Sequence, residues 1–314
     1  MELSELLAGT PTNWGRWGPG DEVGALNHLT AQRVLRGVAE VRDGRVFTLG
    51  TRIGSPEGDA VWPGRAQPQR YNTRDRSSYV AGKQESFAGG GEYADDMIVM
   101  NLQGATHTDA LGHVWHDDTI YNGQSAGTTV DALGYASVLP LAERGIAGRG
   151  VLLDLARRAG VDALGPDDHF GLAELLDTAA RQDVTIEPGD ILLIRTGWLG
   201  TFRDGKFAGE TTPYREPGLV FGRDLVEWFH ATEIPALVTD TMANEATRQP
   251  DSDVVFPLHQ SLMRNLGVTF HEIAALDELA ADCAQDGRYR FLFVAAPLKV
   301  VGATGAPVNP VVLK

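Results

Sequence analysis

Four short, almost uninterrupted runs of apolar residues constrain the fold of this chain more than any other feature. They are Gly150–Leu155, Asp190–Arg195, Ala236–Thr239 and Phe291–Ala296. Such runs, lacking polar alternation, are typical of strands buried on both faces, as in a parallel sheet covered by helices. Helical patterns lie between and beside them, at Gly171–Gln182, Leu219–Thr232 and Ile273–Ala284. The alternation predicts an α/β fold.

The remaining segments are less regular. Residues 1–30 are predicted to form an irregular N-terminal arm, and Thr30 is predicted to cap a helix over Ala31–Val41. Further predictions follow composition and periodicity: a strand at 46–54, a long loop at about 55–91, a strand at Met97–Leu102 and an irregular tail at 297–310. No linker divides the chain, so we predict a single domain spanning residues 1–314.

Charge and cysteine content argue against several classes of protein. The chain has 27 Lys and Arg against 42 Asp and Glu, a formal net charge of −15, and no basic cluster that could follow a nucleic-acid backbone. Its one cysteine cannot form an intramolecular disulfide, and no apolar run reaches the roughly 20 residues that a membrane-spanning helix needs. We therefore expect a cytoplasmic protein with neither nucleic-acid nor membrane partners.

Residues 101–117 are rich in side chains that can bind metals or transfer protons, and they include three of the eight histidines of the chain. If residues 103–109 are extended, Gln103, His107 and Asp109 lie on one face. A His-x-Asp pair on a strand directs an imidazole nitrogen and a carboxylate at one point, which is half of a site for Zn²⁺ or Mn²⁺.

Three more side chains of this segment, His113, His116 and Asp117, would share a face if a helix began there. Burying several ionisable groups without a compensating ion is costly. The cluster therefore favours a metal site over a set of isolated structural histidines.

The same segment resembles the signature of the cyclase superfamily, which includes bacterial kynurenine formamidase (arylformamidase) and isatin hydrolase. The family pattern is His-x-Gly-Thr-His-x-Asp-x-x-x-His. Residues 103–113 keep this spacing, with Gln103 in place of the first His and Ala105 in place of the Gly. Other segments resemble the longer members of the family: residues 13–27, 148–154, 189–198 and 240–241, and 257–260 followed by Glu272.

The resemblance implies four metal ligands: His107, Asp109, His259 and Glu272. It also implies that His113 is the catalytic histidine. Gln103 stands where a further ligand is expected, and its amide oxygen suits the harder Mn²⁺ better than Zn²⁺. We therefore expect one divalent cation, Mn²⁺ or Zn²⁺, rather than two.

Four residues are candidates for binding the substrate: Trp115, His116, Arg195 and Trp198. The first two lie within the motif segment. Arg195 and Trp198 end or follow a predicted buried strand, where α/β proteins often place site residues. For Trp198, core packing is an equally good interpretation.

The resemblance implies a swivelling β/β/α barrel-like core with flanking helices, and a homodimer or homotetramer. It also implies a hydrolase that opens an amide, a cyclic amide or a lactone of a small molecule. Two alternatives remain open on the residues alone: a metal-dependent cyclase or dehydratase of a ring ketone, and a degenerate, metal-free member with a binding role. The one Gly-x-Ser-x-Gly match, Gly123-Gln124-Ser125-Ala126-Gly127, does not follow a predicted strand, as a nucleophile elbow must, and a Gly-x-Gly-x-x-Gly dinucleotide fingerprint is absent from the sequence.

Overall fold

The computed structural model describes residues 2–203, 215–250, 252 and 254–314, and its main element is a curled nine-stranded sheet. The described strands are β1 (Val46–Thr48), β2 (Gln69–Arg74), β3 (Asp95–Val99), β4 (His107–Asp109), β5 (Ile146–Asp154), β6 (His169–Phe170), β7 (Ile191–Arg195), β8 (Gly218–Leu219), β9 (Ala236–Thr239), β10 (Thr269–Glu272), β11 (Arg290–Ala295), β12 (Gly305–Pro307) and β13 (Val311–Leu313). The described α-helices are α1 (Leu3–Leu7), α2 (Ala31–Val38), α3 (Arg76–Val80), α4 (Val138–Arg144), α5 (Leu155–Ala159), α6 (Leu172–Arg181), α7 (Trp198–Arg203), α8 (Arg223–Ala231) and α9 (Asp277–Asp286).

The large sheet has the strand order β1-β13-β11-β5-β7-β9-β10-β4-β12. Its central strands β5, β7, β9 and β10 are parallel, and the flanking strands pair antiparallel. Strands β5, β7 and β9 are almost entirely buried, as their apolar runs predict, and α2 and α6 pack on β5. Strand β11, predicted from the run Phe291–Ala296, is buried only on alternate residues and pairs antiparallel with β5. The predicted α/β class and barrel-like core with flanking helices are confirmed.

Most helices and strands of the second half lie where the sequence predicts them, with shifted ends. The helix predicted at Leu219–Thr232 begins only at Arg223, because Gly218–Leu219 instead pair with β6 as a short strand. The helix predicted from Ile273 begins at Asp277. The cause is that the N–H of Ala274 donates to the carbonyl of Thr239, the last residue of β9, and the N–H of Ile273 to the carbonyl of Thr241 just beyond it, so the chain stays bonded to its neighbour past β10.

Two segments predicted to be irregular contain strands. The loop predicted at 55–91 holds β2 and α3, and β2 pairs with β3, which begins at Asp95 and not at Met97. The tail predicted at 297–310 holds β12, which forms the sheet edge beside β4. These strands are too short, or too exposed, to show a diagnostic hydrophobic period.

The N-terminal arm is mostly irregular, as predicted, and is hydrogen-bonded to a segment next to the candidate site. The N–H of Asn13 donates to the carbonyl of Asn265 at 2.9 Å, and Trp14 Nε1 donates to the carbonyl of Arg264 at 2.9 Å. Gly24 approaches Gly267 so closely that a Cβ at Gly24 would lie 2.5 Å from the Gly267 carbonyl oxygen. Within the described residues, no helix is both long and apolar enough to cross a lipid bilayer.

Candidate metal centre

The centre is built on two neighbouring strands, β4 and β10. They pair antiparallel, with Glu272 opposite His107 and His271 opposite Thr108. Residues opposite each other share a face, and side chains alternate along a strand. His107, Asp109 and Glu272 therefore lie on one face of the sheet.

These three side chains converge in the protein interior. His107 Nε2 lies 3.2 Å from Glu272 Oε2 and 3.5 Å from Asp109 Oδ1. Each residue offers one ligand atom, and these three atoms all lie within 4.8 Å of one another. All three residues are buried, so water can do little to solvate their charges.

The donor atoms suit a divalent cation. His107 Nδ1 donates to the carbonyl of Ala105 at 2.9 Å, so the neutral imidazole presents the lone pair of Nε2 to the cluster. His107 Nε2 and Asp109 Oδ1 are buried and have no hydrogen-bond partner among the described residues. Such groups are costly to bury unpaired, and a cation between them removes that cost.

The charges of the cluster are strongly coupled. Burial alone would raise the pKa of Glu272, but the imidazoles of His107 and His259 lower it to about 2. Burial alone would lower the pKa of His107, but Asp109 and Glu272 raise it above the usual value. Glu272 is therefore held as a carboxylate, which is the form that binds a metal.

His259 reaches the cluster from a separate segment, the first residue of a π-helical turn over His259–Asn265. Its Nε2 lies 3.5 Å from Glu272 Oε1, so the two carboxylate oxygens of Glu272 face two different imidazoles. The structure thus brings all four ligands expected from the family resemblance into one buried region.

Glu245 orients His259 and was not predicted from the sequence. This buried carboxylate accepts the N–H groups of Leu258 and His259, both at 2.7 Å, and Glu245 Oε1 lies 2.6 Å from His259 Nδ1. With Nδ1 engaged, Nε2 is directed at Glu272, which is the arrangement typical of a metal-bound histidine and its supporting carboxylate. Burial would lower the pKa of His259, but Glu245 and Glu272 raise it to about 10.

His113 lies beside the cluster. Its imidazole interacts electrostatically with Asp109, His259 and Glu272, and burial lowers its pKa. It follows a turn in which the N–H of His113 donates to the carbonyl of Ala110 at 2.9 Å. A group capable of proton transfer therefore adjoins the candidate ligands.

No helix begins at His113, so the condition under which His113, His116 and Asp117 would share a helix face is not met. The chain instead turns back at His116, whose N–H and carbonyl both bond to Thr119, and Asp117 has a φ of 47°. His116 Nε2 lies 3.3 Å from the exposed carboxylate of Asp117. Trp115 in the same turn is 53% exposed.

Gln103 lies outside β4, which contains only His107–Asp109. Ala105 has a φ of 63°, so the predicted extension from 103 to 109 is broken there. Gln103 Nε2 donates to Thr304 Oγ1 at 2.9 Å, next to strand β12. A ligand role for Gln103 stays a prediction.

Arg195 and Trp198 are held by contacts within the chain, and a substrate-binding role for Arg195 stays a prediction. Arg195 bonds to Asp154 at 3.0 Å and to Asp277 at 2.7 Å. Trp198 is completely buried and packs with a small cluster that includes Met242. For Trp198 the structure therefore favours the packing interpretation.

Several residues near the centre have a strained backbone conformation. Four non-glycine residues with positive φ lie within three positions of His107, Glu245, His259 or Glu272: Ala105, Asn244, Phe256 and Ile273. A β-branched or bulky residue in this region is a true outlier, and such strain tends to persist at functional sites. Phe256 also packs between Trp62 and His259, with ring centroids 5.4 Å and 5.2 Å away, and so supplies an apolar wall.

Comparison with known proteins agrees with this geometry. Residues 56–246 match the family model described as "Putative cyclase". The chain belongs to this cyclase family. A crystal structure of a "novel cyclase" is 33% identical, with a TM-score of 0.85, covering 97% of this chain and 100% of that one.

More distant members of the cyclase fold include named enzymes. An isatin hydrolase bound to the product analogue thioisatinate is 19% identical, with a TM-score of 0.62, and covers 91% of this chain and 99% of that one. A "predicted metal-dependent hydrolase" from Bacillus stearothermophilus is 18% identical, with a TM-score of 0.51, covering 86% and 98%. At these identities the likeness shows the fold alone. No curated protein matches the sequence significantly.

Proposed function

We propose that this protein is a metal-dependent hydrolase that opens an amide, a cyclic amide or a lactone of a small molecule. The observation that carries the proposal is the buried group of His107, Asp109 and Glu272, in which two atoms lack hydrogen-bond partners among the described residues. Membership of the cyclase family supports it, as does the likeness in fold to an isatin hydrolase and to a predicted metal-dependent hydrolase.

His107, Asp109 and Glu272 would hold the cation, and His259 beside Glu272 would complete the set. Imidazole nitrogen with carboxylate oxygen suits either Zn²⁺ or Mn²⁺. That the centre holds one ion and not two stays a prediction. When bound, the cation would polarise a substrate carbonyl and lower the pKa of water.

His113 would move the proton. It adjoins Asp109 and Glu272, so it could take a proton from the attacking water and return it to the leaving nitrogen or oxygen. Trp62 and Phe256 would exclude water from the side of the centre nearest to His259. An apolar wall strengthens the electrostatic interactions within the site.

The experiment is an assay of product formation on a panel of formamides, lactams and lactones, analysed by mass spectrometry. Hydrolysis adds the mass of one water to the substrate, whereas dehydration removes it and cyclisation without water loss leaves it unchanged. Activity should disappear on treatment with a chelator and return with Mn²⁺ or Zn²⁺. A product that has lost water would instead support the cyclase or dehydratase interpretation.

A pair of histidine variants localises the activity. His113→Asn should lower kcat while the protein keeps its metal, because the imidazole is a proton carrier and not a ligand in this proposal. His230→Asn is the control, since His230 lies half-buried in α8, where the charged groups that act on it are Arg16 and Glu233. Equal activity of His113→Asn and the wild type would overturn the assignment of His113.

A further inference from the structure

Residues 59–67 form a short loop, here called the 59–67 loop, whose two ends are joined by hydrogen bonds. The N–H of Asp59 donates to Gln67 Oε1 at 2.8 Å, and Gln67 Nε2 donates back to the carbonyl of Asp59 at 3.0 Å. Asp59 is buried, and its carboxylate accepts the N–H groups of Gly54 and Ser55 at 2.7 Å and 2.8 Å. The base of the loop is therefore firmly held.

The tip of the 59–67 loop is a tight turn over Trp62, Pro63, Gly64 and Arg65. The N–H of Arg65 donates to the carbonyl of Trp62 at 3.0 Å, and Gly64 has a φ of 93°. A proline followed by a glycine with positive φ is typical of a type II turn. The turn fixes the points at which the side chains of Trp62 and Arg65 leave the backbone.

The two ends of this turn contact different sides of the metal centre. Trp62 packs on Phe256 with ring centroids 5.4 Å apart, and Phe256 packs on His259 with centroids 5.2 Å apart. Arg65 Nη1 donates to the carbonyl of Gln103 at 2.9 Å, within the motif segment 101–117. The loop therefore reaches from the candidate ligand His259 to the segment that carries the other histidines of the centre.

Further contacts hold the 59–67 loop on the motif segment. Asn101 Nδ2 donates to the carbonyl of Ala66 at 3.2 Å. Gly104 lies close to Val61, since a Cβ at Gly104 would be 3.5 Å from Val61 Cγ1. Arg65 is therefore carried by a well-supported loop, and a side chain held in this way loses less entropy when it binds a ligand.

The guanidinium of Arg65 has no carboxylate partner in the part of the chain that the structure describes. Among those residues, its one hydrogen bond is the bond to the carbonyl of Gln103. Arg149, an arginine of the interior, is by contrast paired with both Asp190 and Glu187. A guanidinium has five N–H donors in a planar fork, so Arg65 has donors left for a ligand.

Arg65 lies on the open side of the centre. Both Arg65 and His113 are partly exposed, whereas His107, Asp109 and Glu272 are buried. The guanidinium is also close enough to act on His113: burial lowers the pKa of His113, and Arg65 adds to the decrease, against the effects of Asp109 and Glu272. A substrate that meets His113 from the solvent side is therefore within reach of Arg65.

We propose that Arg65 determines which substrates this hydrolase accepts, by binding a carboxylate that the substrate carries apart from the bond to be cleaved. The inference rests on the proposed hydrolase function and narrows its substrates to amides, lactams or lactones with a free carboxylate. The planar guanidinium can donate two parallel N–H groups to the two carboxylate oxygens. Trp62 and Phe256 would contact the apolar body of the same molecule.

The charge of the surroundings makes such a cation necessary for an acidic substrate. The chain has a formal net charge of −15, and the buried carboxylates of Asp109, Glu245 and Glu272 lie at the centre itself. A carboxylate approaching this site is repelled unless a local positive charge offsets the field. Arg65 supplies that charge beside His113, where the substrate would enter.

A matched pair of substrates tests the selection. Formanilide with a 3-carboxylate is compared with formanilide with a 3-carboxamide, which has nearly the same shape and no charge. The wild type should hydrolyse the carboxylate with a kcat/KM about 10–100-fold higher, the effect of a hydrogen bond to a charged group. Arg65→Met should lose this preference mainly through a higher KM, and Arg65→Lys should keep part of it because it keeps the charge. Arg76→Met, at an exposed arginine of α3, is the control and should keep the full preference.

Calorimetric titration with benzoate and benzamide separates this inference from the hydrolase proposal, because it needs no turnover. Benzoate should bind the metal-loaded wild type and Arg76→Met equally, and Arg65→Met at least about tenfold more weakly. Benzamide should bind all three proteins alike, and circular dichroism checks that Arg65→Met is folded.

The outcomes distinguish the two proposals. Benzoate affinity that is lost in His107→Ala but unchanged in Arg65→Met would place the carboxylate on the cation and overturn the inference. Equal kcat/KM for the two formanilides in the wild type would overturn it as well and leave the hydrolase proposal standing. Benzoate binding that depends on Arg65, in a protein that hydrolyses no amide, lactam or lactone, would support carboxylate recognition and contradict the hydrolase proposal alone.

Discussion

Glu272 lies directly across the β4–β10 pair from His107, with its Oε2 3.2 Å from the imidazole Nε2. The second oxygen of the same carboxylate faces His259. One residue thus links the half-site on β4 to the ligand contributed by the distant π-helical turn. Loss of its charge should therefore disable the whole centre.

We predict that Glu272→Gln abolishes stabilisation by metal. An ion that binds only the native state at 100 times its Kd adds about 2.7 kcal/mol to the free energy of unfolding. Thermal unfolding of metal-stripped protein, with and without added Mn²⁺ or Zn²⁺, measures this gain. Glu278→Gln, on the exposed side of α9, should keep the full shift. A Glu272→Gln protein stabilised as much as the wild type would show that the ion binds elsewhere.

We predict that Glu245→Gln weakens metal binding without removing a ligand. The carboxylate fixes the ring of His259 and the two N–H groups beside it. Loss of such a supporting group typically costs about 10–100-fold in metal affinity. Competition with a chromophoric chelator would measure the affinity, with Glu227→Gln on the exposed face of α8 as the control. Unchanged affinity would limit Glu245 to a structural role.

Arg195 should contribute to stability and not to metal binding. It is the main partner of Asp154, a carboxylate that is only 1% exposed. Removing one partner of a buried ion pair costs about 3–5 kcal/mol. Urea denaturation should therefore show a large loss for Arg195→Ala and a small one for Arg157→Ala, whose side chain is 58% exposed. If Arg195→Ala is as stable as the wild type but inactive, the residue binds substrate instead.

The stability of the fold should depend on the protonation of His28. Burial lowers the pKa of His28 from 6.5 to about 4, and nearby Arg16 and Arg33 add to the shift against the opposing effect of Glu233. As pH falls, the unfolded state binds the proton first, so the free energy of unfolding decreases between about pH 6.5 and 4, by about 3 kcal/mol.

Denaturation curves of the wild type and His28→Asn across this pH range measure the contribution. The variant should lack this part of the decrease, whereas His169→Asn, on an exposed residue, should retain it. Parallel curves for the wild type and His28→Asn would show that other groups cause the acid sensitivity.

The sequence predicted the parts of the site that depend on local spacing. His107 and Asp109 share a face because they are two residues apart on a strand. In the structure the same alternation turns His271 away from the face of Glu272, and His271 Nδ1 lies 2.8 Å from Thr108 Oγ1. Strands β5, β7 and β9 were predictable because burial on both faces leaves a continuous apolar run.

What could not be predicted depends on contacts between distant segments. Glu245 acts through the N–H groups of Leu258 and His259, and a carboxylate thirteen residues away carries no periodic signal for this role. The turn at His116 could not be predicted either. Asp117 has a positive φ, which is incompatible with the helix that the spacing of His113 and His116 suggests. Strand β12 is three residues long and is defined by its pairing with β4, nearly 200 residues earlier in the chain.

The most direct test of the central claim is the metal content of the purified protein, measured by inductively coupled plasma mass spectrometry for the wild type and His107→Ala. The account predicts about one Mn or Zn per wild-type chain and a near-complete loss in the variant, because His107 Nε2 is one of the three converging ligand atoms. A wild type that holds no metal after supplementation, or a His107→Ala protein that retains the full amount, would contradict it.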